Sequence, residues 1–375
     1  MTFTEKDLNN LCCPKCQGSL RLGVRTRTAG SGLSYQLSVQ CTQCAEKFPV
    51  TNGIPRLLLS PLREALLGTG SATGIDAQQV ATAQSFGFEW DHFSEMRSEW
   101  EQAFLDYMMP HGPGFFVGKR VLDAGCGSGR YAYYAARYGA DVWAVDLGSA
   151  VDVARRNTAN CVSVHIVQAD LYHLPFAPES FDFIYSLGVL HHLPDPEAAF
   201  RNLLGFLKPS GEIQIYLYWK PEGQPLKRAL LSAITATRQI TTRLPHRAIY
   251  VLAFPAALMA YTFFVLPYKV LSRIPGLKRF AELMPMKQYA RYRFHACLLD
   301  QHDRLSAPIE NRYTKAEVEA WLKRAGLEEV NVRPNYGWVG SGRKPESVAG
   351  QSASDVRQHE CTNLVSSSLD RDIHS

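Results

Sequence analysis

The segment that most restricts the fold of this chain is Arg120–Arg130, which reads RVLDAGCGSGR. Its apolar start, Val121 and Leu122, is typical of a short buried strand. Asp123 and a run of alternating glycines follow, and residues 131–137 predict a helix. A strand, a glycine turn and a helix form one mononucleotide-binding unit of a doubly wound sheet. Because glycine has no Cβ, such a turn lets the backbone approach a ligand closely.

The glycine turn differs from the fingerprint of a dinucleotide site. That fingerprint is GxGxxG, whereas this turn is DxGxGxG, with an acid before the first glycine. A carboxylate repels a pyrophosphate but tolerates or favours a ligand with a cationic amino-acid end. The turn therefore favours a cationic ligand over a dinucleotide.

The segments that follow predict the rest of a parallel sheet. Four of them are expected to form strands: 141–146, 162–170, 181–186 and 212–218. Strands that alternate with helices imply a parallel sheet, and the ligands of such sheets bind at the carboxyl ends of the strands. Asp123, Asp146 and Asp170 all fall at such ends. Asp146 lies at about the distance in sequence expected of a carboxylate that binds ribose hydroxyls.

Five motifs in this order resemble the class I S-adenosylmethionine-dependent methyltransferases, and most closely the ubiquinone/menaquinone-type methylases. The motifs are VLDAGCGSGR (121–130), AVD (144–146), QAD (168–170), SLGVLHHLPDP (186–196) and LKPSGEI (207–213). The resemblance covers about residues 85–218 and a C-terminal piece near 305–344. It implies an α/β, Rossmann-like fold with a doubly wound, mostly parallel seven-stranded sheet. It also implies S-adenosyl-L-methionine as the cofactor.

The same resemblance implies cofactor contacts for eight residues: Asp123, Gly125, Gly127, Gly129, Asp146, Leu147, Asp170 and Leu171. Asp123 and the glycines would hold the amino-acid end, Asp146 the ribose hydroxyls, and Asp170 the adenine amino group. One of the two leucines would lie against the adenine ring. The alternative role for Asp123 is a turn cap, and for Asp170 it is a helix N-cap.

Methyl transfer depends chiefly on positioning, but an oxygen or carbon acceptor can also require a base to take its proton. Histidine suits that role because its pKa lies near neutrality. We predict His191 as the catalytic base, with His192 as the weaker candidate. Structural packing of this histidine pair is the alternative.

A second feature, the cysteine distribution, predicts a metal site. Five of the nine cysteines fall in the first 44 residues, and this clustering and the odd count argue against a disulfide framework. Two CxxC pairs supply the four thiolates that a structural Zn²⁺ prefers: Cys13, Cys16, Cys41 and Cys44. Cys12 is a spare that could replace Cys13, and a ribbon that has lost its metal is the alternative.

The segment FPVTNGIPRLL (48–58) follows the second cysteine pair. Together with the two pairs, it resembles the zinc-ribbon domain of the small activator subunit of tRNA and protein methyltransferases, over about residues 9–60. Such ribbons also precede bacterial methyltransferase domains. The resemblance implies a folded N-terminal support and says nothing about the substrate.

The segment 220–293 departs from a minimal methyltransferase, with 13 Lys and Arg against Glu222 and Glu282. Within it, 248–266 is 19 residues long and uncharged, which is the length of a membrane span. A single crossing would separate the last strands from the sheet, and basic residues flank both ends. Three interpretations remain: a bent or interfacial helix on a membrane, a buried lid or dimer helix, and a single span. Pro255 would bend such a helix.

We therefore predict four regions: a zinc ribbon (1–60), a linker (61–84), a methyltransferase domain with an insertion at about 220–305 (85–344), and a disordered tail (345–375). The tail is rich in Ser, Gln and Asp. Because no apolar stretch follows Met1, we expect a cytoplasmic protein, in peripheral contact with the inner face of the membrane if 248–266 is interfacial.

Three functions are compatible with these features. The first is O- or C-methylation of a small, apolar or membrane-derived acceptor. The second is methylation of an RNA base, in which the basic insertion tracks phosphates. An apolar run is a poor RNA surface, however, and Ser186–Val189 replaces the Asn/Asp-Pro-Pro-aromatic signature of base methylation. The third is a non-catalytic partner of another methyltransferase. We favour the first, with the oligomeric state left open.

Overall fold

One mixed sheet runs through the computed structural model, which describes residues 3–29 and 32–346. Its eleven strands, counted over these residues, are β1 (Leu20–Ala29), β2 (Gly32–Cys41), β3 (Lys47–Thr51), β4 (Ile54–Leu57), β5 (Arg120–Ala124), β6 (Asp141–Asp146), β7 (Val164–Ala169), β8 (Phe181–Leu187), β9 (Leu207–Leu217), β10 (Glu328–Pro334) and β11 (Trp338–Arg343). They lie in the order β1-β2-β3-β4-β7-β6-β5-β8-β9-β11-β10.

The helices cover both faces of this sheet. They are α1 (Glu5–Leu8), α2 (Leu62–Leu66), α3 (Gly74–His92), α4 (Glu99–Met108), α5 (Arg130–Arg137), α6 (Ala150–Asn157), α7 (Pro196–Gly205), α8 (Pro225–Thr241), α9 (His246–Ala260), α10 (Leu266–Leu271), α11 (Lys278–Ala281), α12 (Phe294–Ser306) and α13 (Lys315–Arg324). Short 3-10 turns lie at 113–116, 190–192 and 287–291.

The last seven strands of that order form the predicted methyltransferase sheet. Strands β7, β6, β5, β8 and β9 run parallel, β11 pairs antiparallel with β9, and β10 pairs antiparallel with β11. Apolar side chains of β5, β6 and β8 are buried on both faces, as expected of a parallel sheet covered by helices. The Rossmann-like class I fold is confirmed. A capping box opens α13, with Thr314 and Glu317 bonded reciprocally.

The N-terminal strands extend the same sheet. β4 pairs in parallel with β7, with Arg56 opposite Gln168 and Leu57 opposite Ala169. The stretch 61–84, predicted as a linker, instead contains α2 and the first half of α3. The sequence there, IDAQQVATAQ (75–84), is rich in the helix formers Ala and Gln, so the prediction overlooked a helix signal.

The insertion is helical, and a π-turn at Tyr261–Val265 joins α9 and α10. The result is a 26-residue helix, His246–Leu271, which is the one helix of the described residues that is long and apolar enough to cross a membrane. One face of it packs against Cys297 and Leu298 of α12 through Ala253 and Ala257.

Met1–Lys344 form one compact unit. The predicted disordered tail and Cys361 lie outside the described residues, apart from Pro345 and Glu346.

Candidate functional site

Two cavities lie at the carboxyl ends of the parallel strands. The inner cavity, about 110 Å³, is lined by residues of the glycine loop, of the ends of β6 and β7, and of α3. The outer cavity, about 280 Å³, is lined by α3, α4, α12 and the ends of β8 and β9. Seven residues line both cavities: Phe86, Trp90, Arg130, Tyr131, Leu187, Gly188 and His192. The two cavities are therefore neighbours across a shared wall.

Asp146 organises the floor of the inner cavity. Its Oδ2 accepts the N–H of Gly127 at 2.9 Å, and its Oδ1 accepts the N–H of Gly148 at 2.9 Å. One carboxylate thus ties the glycine loop after β5 to the loop after β6. Burial raises the pKa of Asp146, while the backbone N–H groups oppose that rise.

The glycine loop leaves space that side chains would fill. Gly125 has a φ of +91°, and a Cβ there would lie 2.3 Å from Val189. Gly127 has a φ of +51°, and a Cβ there would lie 2.7 Å from the indole nitrogen of Trp90. Both glycines line the inner cavity. The loop therefore forms a backbone cradle of the kind that the predicted cofactor needs.

Two predicted cofactor residues lie behind this wall rather than in it. Gly129 caps α5 with a φ of +75°, and a Cβ there would lie 2.9 Å from Ala154, so its role is packing. Asp123 is buried, its Oδ2 has no hydrogen-bond partner in the part of the chain that the structure describes, and burial raises its pKa to about 7. Neither residue lines the inner cavity, so the structure gives both a supporting position.

Asp170, Leu147 and Leu171 line the inner cavity as predicted. The Asp170 Oδ1 accepts the side-chain amide of Gln79 at 3.2 Å and the N–H of Tyr172 at 3.2 Å. No helix begins at Asp170 in the described residues, so the alternative of a helix N-cap is wrong. Gln79 was missed because it lies in the segment predicted as a linker.

The two histidines occupy different environments, and the structure places His191, the predicted base, away from both cavities. His191 is fully buried and lines neither cavity, and its ring nitrogens have no hydrogen-bond partner among the described residues. Burial lowers its pKa well below the usual value. His192 lines both cavities instead, and its Nδ1 lies 2.6 Å from the carbonyl oxygen of Ile309. The short turn at 190–192 determines which of the two imidazoles faces the cavities, and the sequence pattern does not reveal the geometry of this turn.

The outer cavity is aromatic and charged. Its eleven Phe, Tyr and Trp side chains are Phe86, Trp90, Trp100, Tyr107, Tyr131, Tyr216, Tyr218, Trp219, Tyr289, Tyr292 and Tyr336. Four acids and four arginines also line it, and they are partly paired: Arg291 lies 2.6 Å from Asp106, and Arg304 lies 2.6 Å from Asp300.

Arg130 is a further residue that the prediction did not single out. Its guanidinium lies 4.7 Å from the ring centre of Trp90, 4.5 Å from that of Trp100 and 4.8 Å from that of Tyr131. No carboxylate of the described residues forms an ion pair with it. Arg130 therefore places a positive charge at the shared wall, where it can bind an acidic group of a ligand.

The four predicted metal ligands converge. Their Sγ atoms all lie within 4.8 Å of one another, with 3.6 Å between Cys13 and Cys44 and 3.5 Å between Cys16 and Cys41. A tetrahedral Zn²⁺ with Zn–S distances of about 2.3 Å requires S···S separations of roughly 3.8 Å. The backbone N–H groups of Gln43 and Cys44 both donate to the Cys41 Sγ at 3.4 Å, which favours a thiolate. The donor set fits a structural zinc.

A short chain of contacts leads from the ribbon to the inner cavity. Arg56 of β4 donates to the Gln168 Oε1 at 3.2 Å and pairs with Asp152 at 2.8 Å. Gln168 in turn donates to the carbonyl oxygen of Leu147 at 2.8 Å. The ribbon therefore contacts the loop that lines the cavity.

Comparison with known proteins agrees with this geometry. Residues 122–215 match the family model described as a methyltransferase domain. The chain therefore contains a class I S-adenosylmethionine-dependent methyltransferase domain.

Its curated relatives include ubiquinone biosynthesis O-methyltransferases. That of Aliivibrio fischeri is 35% identical over 112 residues, which are 29% of this chain and 47% of the relative. That of Acinetobacter baylyi is 30% identical over 150 residues, which are 38% of this chain and 63% of the relative. The chain thus spans about half the length of the curated relatives that it matches. Phosphoethanolamine N-methyltransferase 1 of Triticum aestivum is 37% identical over 22% of its length.

Similarity to solved structures is partial. A putative methyltransferase of Bacillus halodurans is 15% identical, with a TM-score of 0.39 over 65% of this chain and 98% of the other. Magnesium protoporphyrin IX methyltransferase of Synechocystis is 14% identical, with a TM-score of 0.35 over 76% and 93%.

The zinc assignment predicts different outcomes for two cysteines of the ribbon, Cys41 and Cys12. Cys41→Ser should lower the zinc content from about one ion per chain towards zero and reduce the melting temperature, because a structural site contributes folding free energy. Cys12→Ser should keep both values, because Cys12 is outside the converging set. Metal analysis by mass spectrometry and thermal unfolding measure the two effects. Equal zinc in both variants would contradict the assignment.

The position of Asp146 predicts a loss of cofactor affinity. Asp146→Asn removes a charged acceptor that serves two loops, and hydrogen bonds to charged groups contribute about 1.5–3 kcal/mol. We therefore expect S-adenosylmethionine to bind about 10- to 100-fold more weakly by calorimetry. Asp91→Asn, a surface carboxylate on α3, is the matched control and should bind normally. Unchanged affinity in Asp146→Asn would refute the role.

Proposed function

We propose that the protein transfers the methyl group of S-adenosylmethionine to a small acceptor in the outer cavity. The observation that carries this proposal is the shared wall of the two cavities, which brings a ligand of each within reach of the other. Holding two reactants in contact and in line is the main contribution of a protein to such a displacement.

The inner cavity fits the cofactor. The Gly125 and Gly127 backbone would border its amino-acid end, Asp146 its ribose hydroxyls, and Asp170 with Leu147 and Leu171 its adenine ring. When bound, S-adenosylmethionine supplies an electrophilic methyl group on a sulfonium. Phe86 and Trp90 of α3 close the cavity on the side of the shared wall, where aromatic faces suit a cation.

The lining of the outer cavity supports an aromatic acceptor with polar substituents. A purely apolar acceptor would leave its arginines and acids desolvated without compensation. A phenol or a quinol presents a ring for the tyrosines and tryptophans and hydroxyl groups for the charged residues. The name of the bacterial relatives, ubiquinone biosynthesis O-methyltransferase, points to the same chemistry. We therefore propose O-methylation of a quinone-like hydroxylated ring.

We propose that His192 takes the proton of that hydroxyl. The Ile309 carbonyl oxygen only accepts hydrogen bonds, so the Nδ1 of His192 carries the proton and donates. The neutral ring then has its lone pair on Nε2, and the side chain lines both cavities. As the methyl group bonds to the acceptor oxygen, the hydroxyl proton would pass to Nε2.

Labelling identifies the class of acceptor directly. The full-length protein is incubated with methyl-labelled S-adenosylmethionine and a lysate of the source cells, and the product is divided among organic extract, nucleic-acid precipitate and aqueous pool. Label in the organic phase supports the proposal if it is found in the methyl group of an aryl methyl ether. Label in the RNA fraction would replace it with RNA methylation, and absence of label in every fraction would favour a non-catalytic partner.

His192→Gln should lower kcat by about 100-fold or more, the usual contribution of a general base, with little change in cofactor affinity. The side chain is replaced by one that keeps a hydrogen-bond donor but cannot accept the proton. His92→Gln, on the exposed side of α3, is the matched control and should keep full activity. Full activity in His192→Gln would show that positioning alone suffices.

A further inference from the structure

Exposed apolar side chains are concentrated in one part of the insertion. Of the 20 large apolar side chains that are exposed in the described residues, 15 lie between 240 and 283. Patches of this kind on soluble proteins mark interaction sites. We call residues 240–283 the apolar-basic surface.

The long helix His246–Leu271 forms the centre of this surface. Its inner face, with Ala253 and Ala257, is fully buried against α12. Its outer face is uncharged from 248 to 266, and Val251 and Phe263 are each 67% exposed. The exposed apolar residues continue beyond the helix to Leu283, which is 82% exposed.

Basic residues border this apolar face on both ends. Between 240 and 283, six Lys or Arg stand against a single acid, Glu282. At the C-terminal end of the helix, an open groove of about 370 Å³ contains Lys269, Arg273, Lys287 and Arg291. Arg273 is exposed and forms no ion pair with the described residues.

We propose that the apolar-basic surface docks on the interface of an anionic phospholipid bilayer, with the long helix lying in the membrane plane. The apolar face would enter the boundary between headgroups and acyl chains, and the basic groove would meet lipid phosphates. Charge complementarity selects this occupant over a second copy of the chain, because two such surfaces face to face would bring like charges together.

The contacts of the helix also oppose a membrane crossing. The preceding helix α8 is fixed to α12, since the Thr241 hydroxyl donates to the Leu305 carbonyl oxygen at 2.6 Å and the Arg238 Nε donates to that of Arg304 at 3.1 Å. A crossing would have to pull the buried face of the long helix away from α12. An in-plane position keeps all these contacts.

The docking surface lies next to the outer cavity. Gln288, Arg291 and Tyr336 line both the basic groove and that cavity, and α12 contributes to the cavity wall. A membrane-bound molecule would therefore meet the cavity mouth at the level of the headgroups. The docking itself does not depend on which reaction the protein catalyses.

Vesicle co-sedimentation of the full-length protein tests the proposal. Vesicles of phosphatidylcholine with about one-third phosphatidylglycerol should bind the protein, and pure phosphatidylcholine or high salt should weaken that binding. Phe263→Ser should weaken it by about tenfold or more, and Arg273→Gln by about fivefold. The matched controls Val162→Ser, 71% exposed, and Lys323→Gln, exposed on α13, should bind as the unmodified protein.

Two outcomes would overturn the proposal. The first is no binding to anionic vesicles, or equal binding of Phe263→Ser. The second is a lipid-free dimer in light scattering that Phe263→Ser dissociates, which would assign the surface to a second copy. Cofactor binding by each variant, measured by calorimetry, shows whether it is folded and keeps this test separate from that of methyl transfer.

Discussion

The hydrogen bonds of the Asp146 carboxylate hold the candidate site together. Two loops with different parent strands, one after β5 and one after β6, present backbone N–H groups to the same buried carboxylate. Parallel pairing of β5 and β6 brings these loops side by side, and the carboxylate fixes their spacing. The floor of the inner cavity and the orientation of the glycine turn follow from this arrangement.

Sequence pattern was sufficient for the central sheet, and six of the eight residues predicted to contact the cofactor line the inner cavity. Acids at strand ends follow a simple rule: parallel strands end at one edge, so Asp146 and Asp170 had to meet there. The four cysteines were equally predictable, because CxxC spacing presets two ligands on each turn. Both inferences rest on local spacing combined with known strand direction.

The residues that the sequence analysis misplaced or missed have positions that depend on three-dimensional packing. Adjacent histidines have almost the same sequence context, and both are buried, yet the turn at 190–192 brings only His192 to the cavities. Asp123 and Gly129 belong to the glycine-loop motif but do not line the inner cavity. Gln79 lies far from the motifs in sequence, and only the docking of α3 brings it to Asp170. Half of the eight charged side chains of the outer cavity, Arg291, Asp300, Asp303 and Arg304, come from the insertion, whose position no motif encodes.

The pairing of β4 with β7 limits where the chain can be cut into separate fragments. Without the N-terminal strands, β7 would become an exposed edge with unpaired backbone groups on the border of the inner cavity. Such an edge recruits strands from other chains. The ribbon thus also covers the edge of the methyltransferase sheet. A fragment that lacks the ribbon would be prone to aggregate even with every methyltransferase motif intact.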